Sequence, residues 1–99
     1  MVTPLAAIDR LHHFAPRLRA AGIKSLYLFG SLARGASRPN SDIDLLFEAE
    51  PSRAFSLLDQ AKLQDELTEL LGRPVDLIER GALHERVQRE AEHDLTRVF

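Results

Sequence analysis

Two short apolar segments that carry acidic residues in their interior constrain the fold of this chain more than any other feature. Asp42 and Asp44 lie in the segment DIDLLFE, and Asp76 lies in the segment PVDLIE. Alternate side chains of a β-strand point to opposite faces, so Asp42 and Asp44 share one face while the apolar residues between and after them occupy the other. Both segments are therefore predicted to be strands with one buried face and one face that carries carboxylates.

Carboxylates that share a face repel one another unless a cation lies between them, and neither segment contains Lys or Arg. If the two strands are neighbours at about 4.8 Å, Asp76 joins Asp42 and Asp44. Magnesium prefers oxygen ligands and completes its shell with water and substrate phosphates. Each acid taken singly has an ordinary alternative as a turn or capping residue. The three together predict a site for two Mg²⁺ ions, the arrangement that activates an attacking oxygen and stabilises a leaving one.

Helix-period and strand-period segments alternate along the rest of the chain. Strands are predicted at 25–29, 42–48, 74–79 and 95–99, and helices at 3–21, 55–70 and 83–94. Pro16 is predicted to kink the first helix or to end it early. The alternation indicates an α+β (mixed α/β) fold with helices packed on a small sheet.

Length and composition limit the classes of protein to consider. A chain of 99 residues fits one domain, 1–99, with a single core. A net charge of -2, from 13 basic and 15 acidic residues, gives no general signal for nucleic-acid binding. The absence of cysteine excludes disulfides and thiolate zinc sites. No apolar stretch approaches the ~20 residues of a membrane span, so a cytoplasmic protein without membrane contact is expected.

A glycine turn follows the first predicted strand. Gly30 and Ser31 lie where that strand passes into a short helical turn. Free backbone N–H groups at such a helix start, together with the Ser31 hydroxyl, can donate hydrogen bonds to phosphate oxygens. A plain helix cap is the alternative for this pair taken alone.

The spacing between this turn and the acids resembles a known signature. Gly30-Ser31, then ten residues, then Asp42-Ile43-Asp44 is similar to the motif of the DNA polymerase beta-like nucleotidyltransferases. The run GSLARGASRPNSDIDLLFE resembles in particular the minimal nucleotidyltransferases (MNT) that are paired with HEPN-domain proteins in prokaryotic toxin-antitoxin operons. The acid of PVDLIE also matches. The last twenty residues are more charged than the apolar strand with which the family often ends.

The resemblance implies a polymerase beta-like fold and specific roles for the matching residues. Asp42 and Asp44 would hold the metal ions that bind the triphosphate of ATP. Asp76 would ligate the catalytic metal and help to take the proton from the attacking hydroxyl. Gly30 and Ser31 would hold the β- and γ-phosphates.

Two further residues are candidates for nucleotide binding. Arg34 can reach a phosphate as a charge-assisted donor, and a solvated loop arginine is the alternative. Ser41 can stabilise the turn before Asp42 by a side-chain hydrogen bond, and contact with the nucleotide is the alternative.

For function, the resemblance implies an antitoxin that transfers AMP from ATP to a protein hydroxyl, a tyrosine of a cognate HEPN toxin. The alternative is a non-catalytic antitoxin or adaptor that neutralises its partner by binding. An antibiotic nucleotidyltransferase is disfavoured, because it needs substrate-binding structure that 99 residues do not house.

Overall fold

The computed structural model of the chain describes residues 3–30, 42–52, 54–82, 89 and 95–99. These residues include two helices, four strands and, directly after the third strand, a 3-10 turn at Arg80–Ala82. In chain order the elements are α1 (Pro4–Ala21), β1 (Ile23–Phe29), β2 (Ile43–Ala49), α2 (Leu57–Leu71), β3 (Val75–Glu79) and β4 (Thr96–Arg97). The predicted last helix at 83–94 lies outside the described residues, apart from one position.

The four strands form one mixed sheet in the order β3-β2-β1-β4. β1 is antiparallel to both β2 and β4, whereas β2 and β3 are parallel. Parallel neighbours need a crossover connection, and α2 supplies it. The predicted α+β class is confirmed.

Both helices pack against the same face of the sheet. Ile43, Leu45 and Phe47 point into this core and are fully buried, as their alternation with the acids predicted. The helices contribute a row of leucines to the same cluster, which includes Leu11, Leu18, Leu63, Leu67 and Leu71. The opposite side of the sheet carries Asp44, Glu48 and Asp76, and we call it the acidic face.

Of the two predicted effects of Pro16, a kink or an early end of the first helix, the early end is wrong. α1 continues through Pro16 to Ala21 and ends at Gly22, which adopts a left-handed conformation with φ 111°. Pro16 lies on the exposed side of the helix, while Ala15 and Leu18 beside it are buried in the core. Burial of that apolar stripe therefore outweighs the loss of one backbone hydrogen bond on the solvent side.

The chain end packs against β1 and α1. Val98 donates its backbone N–H to Leu26 and its carbonyl accepts a hydrogen bond of 2.6 Å from the His12 ring. The Arg19 guanidinium stacks over the Phe99 ring. These contacts hold the last residues beside β1, where the predicted terminal strand forms. Over the described part of the chain, neither helix has the length and apolar character of a membrane-spanning segment.

A capping box begins α2. The Ser56 hydroxyl accepts the Asp59 backbone N–H at 3.1 Å, and the Asp59 carboxylate accepts the Ser56 backbone N–H at 2.9 Å. The backbone hydrogen bond from Ser56, followed by the one from its hydroxyl, lowers the pKa of the Asp59 carboxyl below its ordinary 3.8. A carboxyl with a lowered pKa stabilises the fold above the unfolded pKa, and this contribution is lost as the pH falls through the folded pKa.

We therefore expect the parent to be more stable than Asp59→Asn at pH 7. The difference should shrink progressively as the pH falls below about 3.8. Urea denaturation at a series of pH values measures it. Thr3→Ala is the matched control, because Thr3 caps α1 without an acidic residue in the first turn. This substitution should lower the free energy of unfolding by about 1 kcal/mol, and its difference from the parent should not shrink at low pH. A parent-to-Asp59→Asn difference that is constant with pH would contradict the assignment.

Candidate active site

The sheet register places two of the predicted acids side by side. Asp44 on β2 is the direct partner of Asp76 on the parallel strand β3. Residues in register on adjacent strands point to the same face, so both carboxylates lie on the acidic face. Asp42 immediately precedes β2, two residues from Asp44. The expectation that the two acidic strands are neighbours is confirmed.

The acids are more open to water than their apolar surroundings suggested. Asp42 and Asp76 are exposed, and Asp44 is half-buried. A carboxylate within an apolar strand is expected to be poorly solvated, and this expectation is wrong for Asp42 and Asp76, which lie away from the face of the sheet that α1 and α2 cover. Exposed carboxylates remain accessible to a metal ion and its phosphates.

Gly30 brings the turn after β1 against the same acids. The last residue of β1, Phe29, is the register partner of Asp44, and Gly30 follows it with φ 79°. A methyl group at position 30 would place its carbon 2.5 Å from Asp44 Oδ2. The glycine turn and the Asp44 carboxylate are thus in direct contact.

β3 is held in place by one row of polar side chains on α2. Thr68 Oγ1 accepts the Val75 N–H at 3.1 Å, and Gln64 Oε1 accepts the Leu77 N–H at 3.0 Å. Gln60 donates to the Leu77 carbonyl at 2.7 Å. These hydrogen bonds give partners to backbone groups on the outer edge of β3 and hold the backbone on both sides of Asp76. Sequence reasoning missed this row, although polar residues spaced by four share one helix face.

A second group on the acidic face was also missed. The Tyr27 hydroxyl donates to Glu48 Oε1 at 2.8 Å, and Arg80 lies 3.8 Å from the same oxygen. The Arg80 guanidinium also stacks 4.9 Å from the centre of the Tyr27 ring. The group ties β1, β2 and the end of β3 together at the far end of β2 from the acids. The one signal in the sequence was the alternation of side chains along β1, which indicated the face of the sheet on which Tyr27 lies.

Three nucleotide-binding candidates, Ser31, Arg34 and Ser41, lie outside the described residues. Within the described ranges, no group of three or more His, Asp or Glu side chains is close enough together to hold a metal ion. Magnesium often binds through one or two carboxylates and completes its shell with phosphates and water. The donor set of Asp44 and Asp76 beside the Gly30 turn fits such an ion when a triphosphate accompanies it.

The fold and the sequence are those of known nucleotidyltransferases. Residues 11–98 match the family described as the nucleotidyltransferase domain. A Methanocaldococcus jannaschii protein with the provisional name of protein adenylyltransferase is 41% identical over 69 residues, which cover 70% of this chain and 72% of that protein.

Solved structures agree with this relationship. One, provisionally described as a minimal nucleotidyltransferase, superimposes with a TM-score of 0.81 at 29% identity, covering 96% of this chain and 95% of its own. The complex of tri-AMPylated Shewanella oneidensis HEPN toxin with MNT antitoxin contains a chain with a TM-score of 0.69 at 17% identity. The match covers 98% of this chain and 72% of that one, and shows the shared fold. The chain belongs to the nucleotidyltransferase domain family.

Proposed function

We propose that this protein transfers AMP from ATP to a hydroxyl group of a protein partner, with magnesium as cofactor. The observation that carries the proposal is the meeting of Asp44, Asp76 and the Gly30 turn on the acidic face. Paired carboxylates beside a glycine turn offer ligands for a metal and backbone donors for a phosphate. Membership of the nucleotidyltransferase domain family supports the same reaction.

The residues divide the work between binding and proton transfer. Asp42 and Asp44 would hold, at the start of β2, the metal ions through which the triphosphate binds. Backbone N–H groups of the turn at Gly30 and Ser31 donate to the β- and γ-phosphates. Magnesium held by Asp42, Asp44 and Asp76 would supply positive charge that neutralises the phosphates. Arg34 and Ser41 are proposed to assist on the same side, as a phosphate donor and a turn residue.

The reaction exchanges one bond at the α-phosphorus for another. The acceptor oxygen bonds to the α-phosphorus, the bond from that phosphorus to the β-phosphate oxygen breaks, and pyrophosphate leaves. A carboxylate oxygen of Asp76 takes the proton of the acceptor hydroxyl. Because such transfer depends mainly on position and charge, small movements of these residues should dominate the rate.

We propose a HEPN-domain toxin as the partner and one of its tyrosines as the acceptor. The solved complex of an AMPylated HEPN toxin with an MNT antitoxin, which shares the fold of this chain, supports this choice. A small domain whose acidic face is occupied by a triphosphate has little surface left to hold an acceptor. An interface of about 1,200–2,000 Å² with a protein positions one side chain far better than a site for a free metabolite.

The proposal is tested by intact-mass measurement of a cognate HEPN-domain protein after incubation with this protein and Mg-ATP. We expect the partner to gain one or more AMP units and to lose its toxicity. EDTA should prevent the gain. Parallel reactions with GTP and CTP measure the base preference. An unchanged partner mass under conditions in which the two proteins form a complex would contradict the proposal.

Neutralisation by binding alone is the second candidate. The observation in its favour is that the described residues do not gather three acids into one ligand set. Under this function, the partner would lose toxicity without any change in mass and in the presence of EDTA. The same experiment therefore separates the two functions.

A further inference from the structure

We infer that Gly30 is a positioning residue for the Asp44 carboxylate, because any side chain at position 30 would push that carboxylate off its place. This inference rests on the proposed function for the role of Asp44, and it concerns a contact within the protein. The sequence predicts a role for Gly30 in phosphate binding by the turn. The contact supplies a separate reason for glycine at this position that applies before any ligand binds.

The distances show how close the contact is. A carbon added at Gly30 would lie 2.5 Å from Oδ2 of Asp44, 3.3 Å from Cγ and 3.4 Å from Cβ. Non-bonded carbon atoms are at their optimal separation at about 3.5–4.0 Å, and 2.5 Å is closer than Cβ atoms approach other atoms in real structures. The Oδ2 atom must therefore move if position 30 gains a methyl group.

The backbone on either side cannot easily relieve the contact. Asp44 is paired with Phe29 on β1 and with Asp76 on β3, so its backbone is held from two sides. The carboxylate is the end of a short side chain with other staggered conformers available. Rotation of Asp44 is the cheapest response, and it carries the carboxylate away from the glycine turn. The fold survives this change, whereas a site that needs its ligands within about 0.5 Å does not.

The chain provides a matched control for the backbone cost of such a substitution. Gly72, at the end of α2, has φ 71°, close to the 79° of Gly30. An added carbon at Gly72 has no atom within 4 Å. Gly72→Ala therefore measures the cost of a positive φ alone, and Gly30→Ala adds the contact with Asp44.

The experiment compares Gly30→Ala with Gly72→Ala in the full chain. We expect Gly30→Ala to lose at least as much thermal stability as Gly72→Ala, because rotation of Asp44 relieves the clash but gives up the interactions of its present conformer. The crystal structure of ligand-free Gly30→Ala should show the Asp44 carboxylate in a different conformer. AMP transfer to the partner should fall about 100-fold in Gly30→Ala, because misplacement by about 1 Å costs that much, and should be unchanged in Gly72→Ala.

An Asp44 carboxylate that keeps its position in the Gly30→Ala crystal structure would overturn the inference, whatever the activity. The crystal structure of the ligand-free variant needs no ATP. It therefore tests the inference even if the parent proves inactive and the proposed function fails. If Gly30→Ala does not fold, the double variant with Asp44→Ala should fold, since the clashing oxygen and Cγ are gone. A double variant as unstable as the single one would equally overturn it.

Discussion

Replacing Asp42 and Asp44 together with asparagine is expected to weaken magnesium-dependent ATP binding at least about 100-fold. Loss of groups that only orient metal ligands already costs 10–100-fold in affinity, and here the ligands themselves lose their charge. Titration calorimetry of ATP binding, with and without Mg²⁺, measures the change. The residual affinity should no longer depend on the metal.

The same double variant should fold normally. Asp44 faces Asp76 across the parallel strands, and removal of clustered negative charge relieves their repulsion in the metal-free protein. We therefore expect its thermal midpoint to stay level or to rise. Asp65→Asn with Glu69→Gln is the matched control, since it removes the same charge from exposed positions on α2. Unchanged Mg-ATP affinity in the Asp42 and Asp44 variant would refute the metal assignment.

Asp76→Asn is expected to abolish AMP transfer while leaving the complex with the partner intact. Proton transfer by a positioned side chain contributes about 10²–10⁴-fold to a rate, and loss of a charged ligand adds to this. The exposed Asp76 carboxylate projects from a strand whose backbone is hydrogen-bonded to α2 and β2. Replacing this carboxylate with an amide should therefore not disturb the fold. Mass measurement reads transfer, and size-exclusion chromatography reads the complex.

A matched control for this variant lies on the same strand. Glu79→Gln changes the same charge at an exposed position of β3, three residues beyond Asp76, and should retain transfer. If the Asp76→Asn protein neutralises the partner as well as the parent does, with no gain in mass, neutralisation by binding becomes the function. Transfer at the parental rate in Asp76→Asn would remove Asp76 from the chemistry altogether.

Local patterns in the sequence were enough to predict most of the elements. The helix predicted at 55–70 forms as α2 and ends before Gly72, and alternation in β2 correctly assigned Ile43 and Leu45 to the core. These features depend on residues only a few positions apart. The signature from Gly30 to Asp44 also identified the family, which the match over residues 11–98 confirms.

Predictions from local sequence rules were wrong at positions where burial in the tertiary structure decided the outcome. Pro16 did not interrupt α1, because its neighbours Ala15 and Leu18 are buried in the core. The backbone hydrogen bond that proline cannot donate is missing only on the exposed side of the helix. The carboxylates of Asp42 and Asp76 are exposed, because they lie away from the face of the sheet that α1 and α2 cover. Neither outcome can be read from hydrophobicity along the chain, since each depends on which side of an element is covered.

The sequence by itself determined the types of most described elements, the buried face of β2 at Ile43, Leu45 and Phe47, and the family. Only the tertiary structure decided that β3 lies parallel to β2 with Asp76 in register with Asp44, and that Gly30 touches that carboxylate. Periodicity is a local property, whereas strand order and register depend on how α2 crosses the sheet and bonds to the edge of β3. The geometry of the acidic face therefore follows from contacts between residues far apart in the chain.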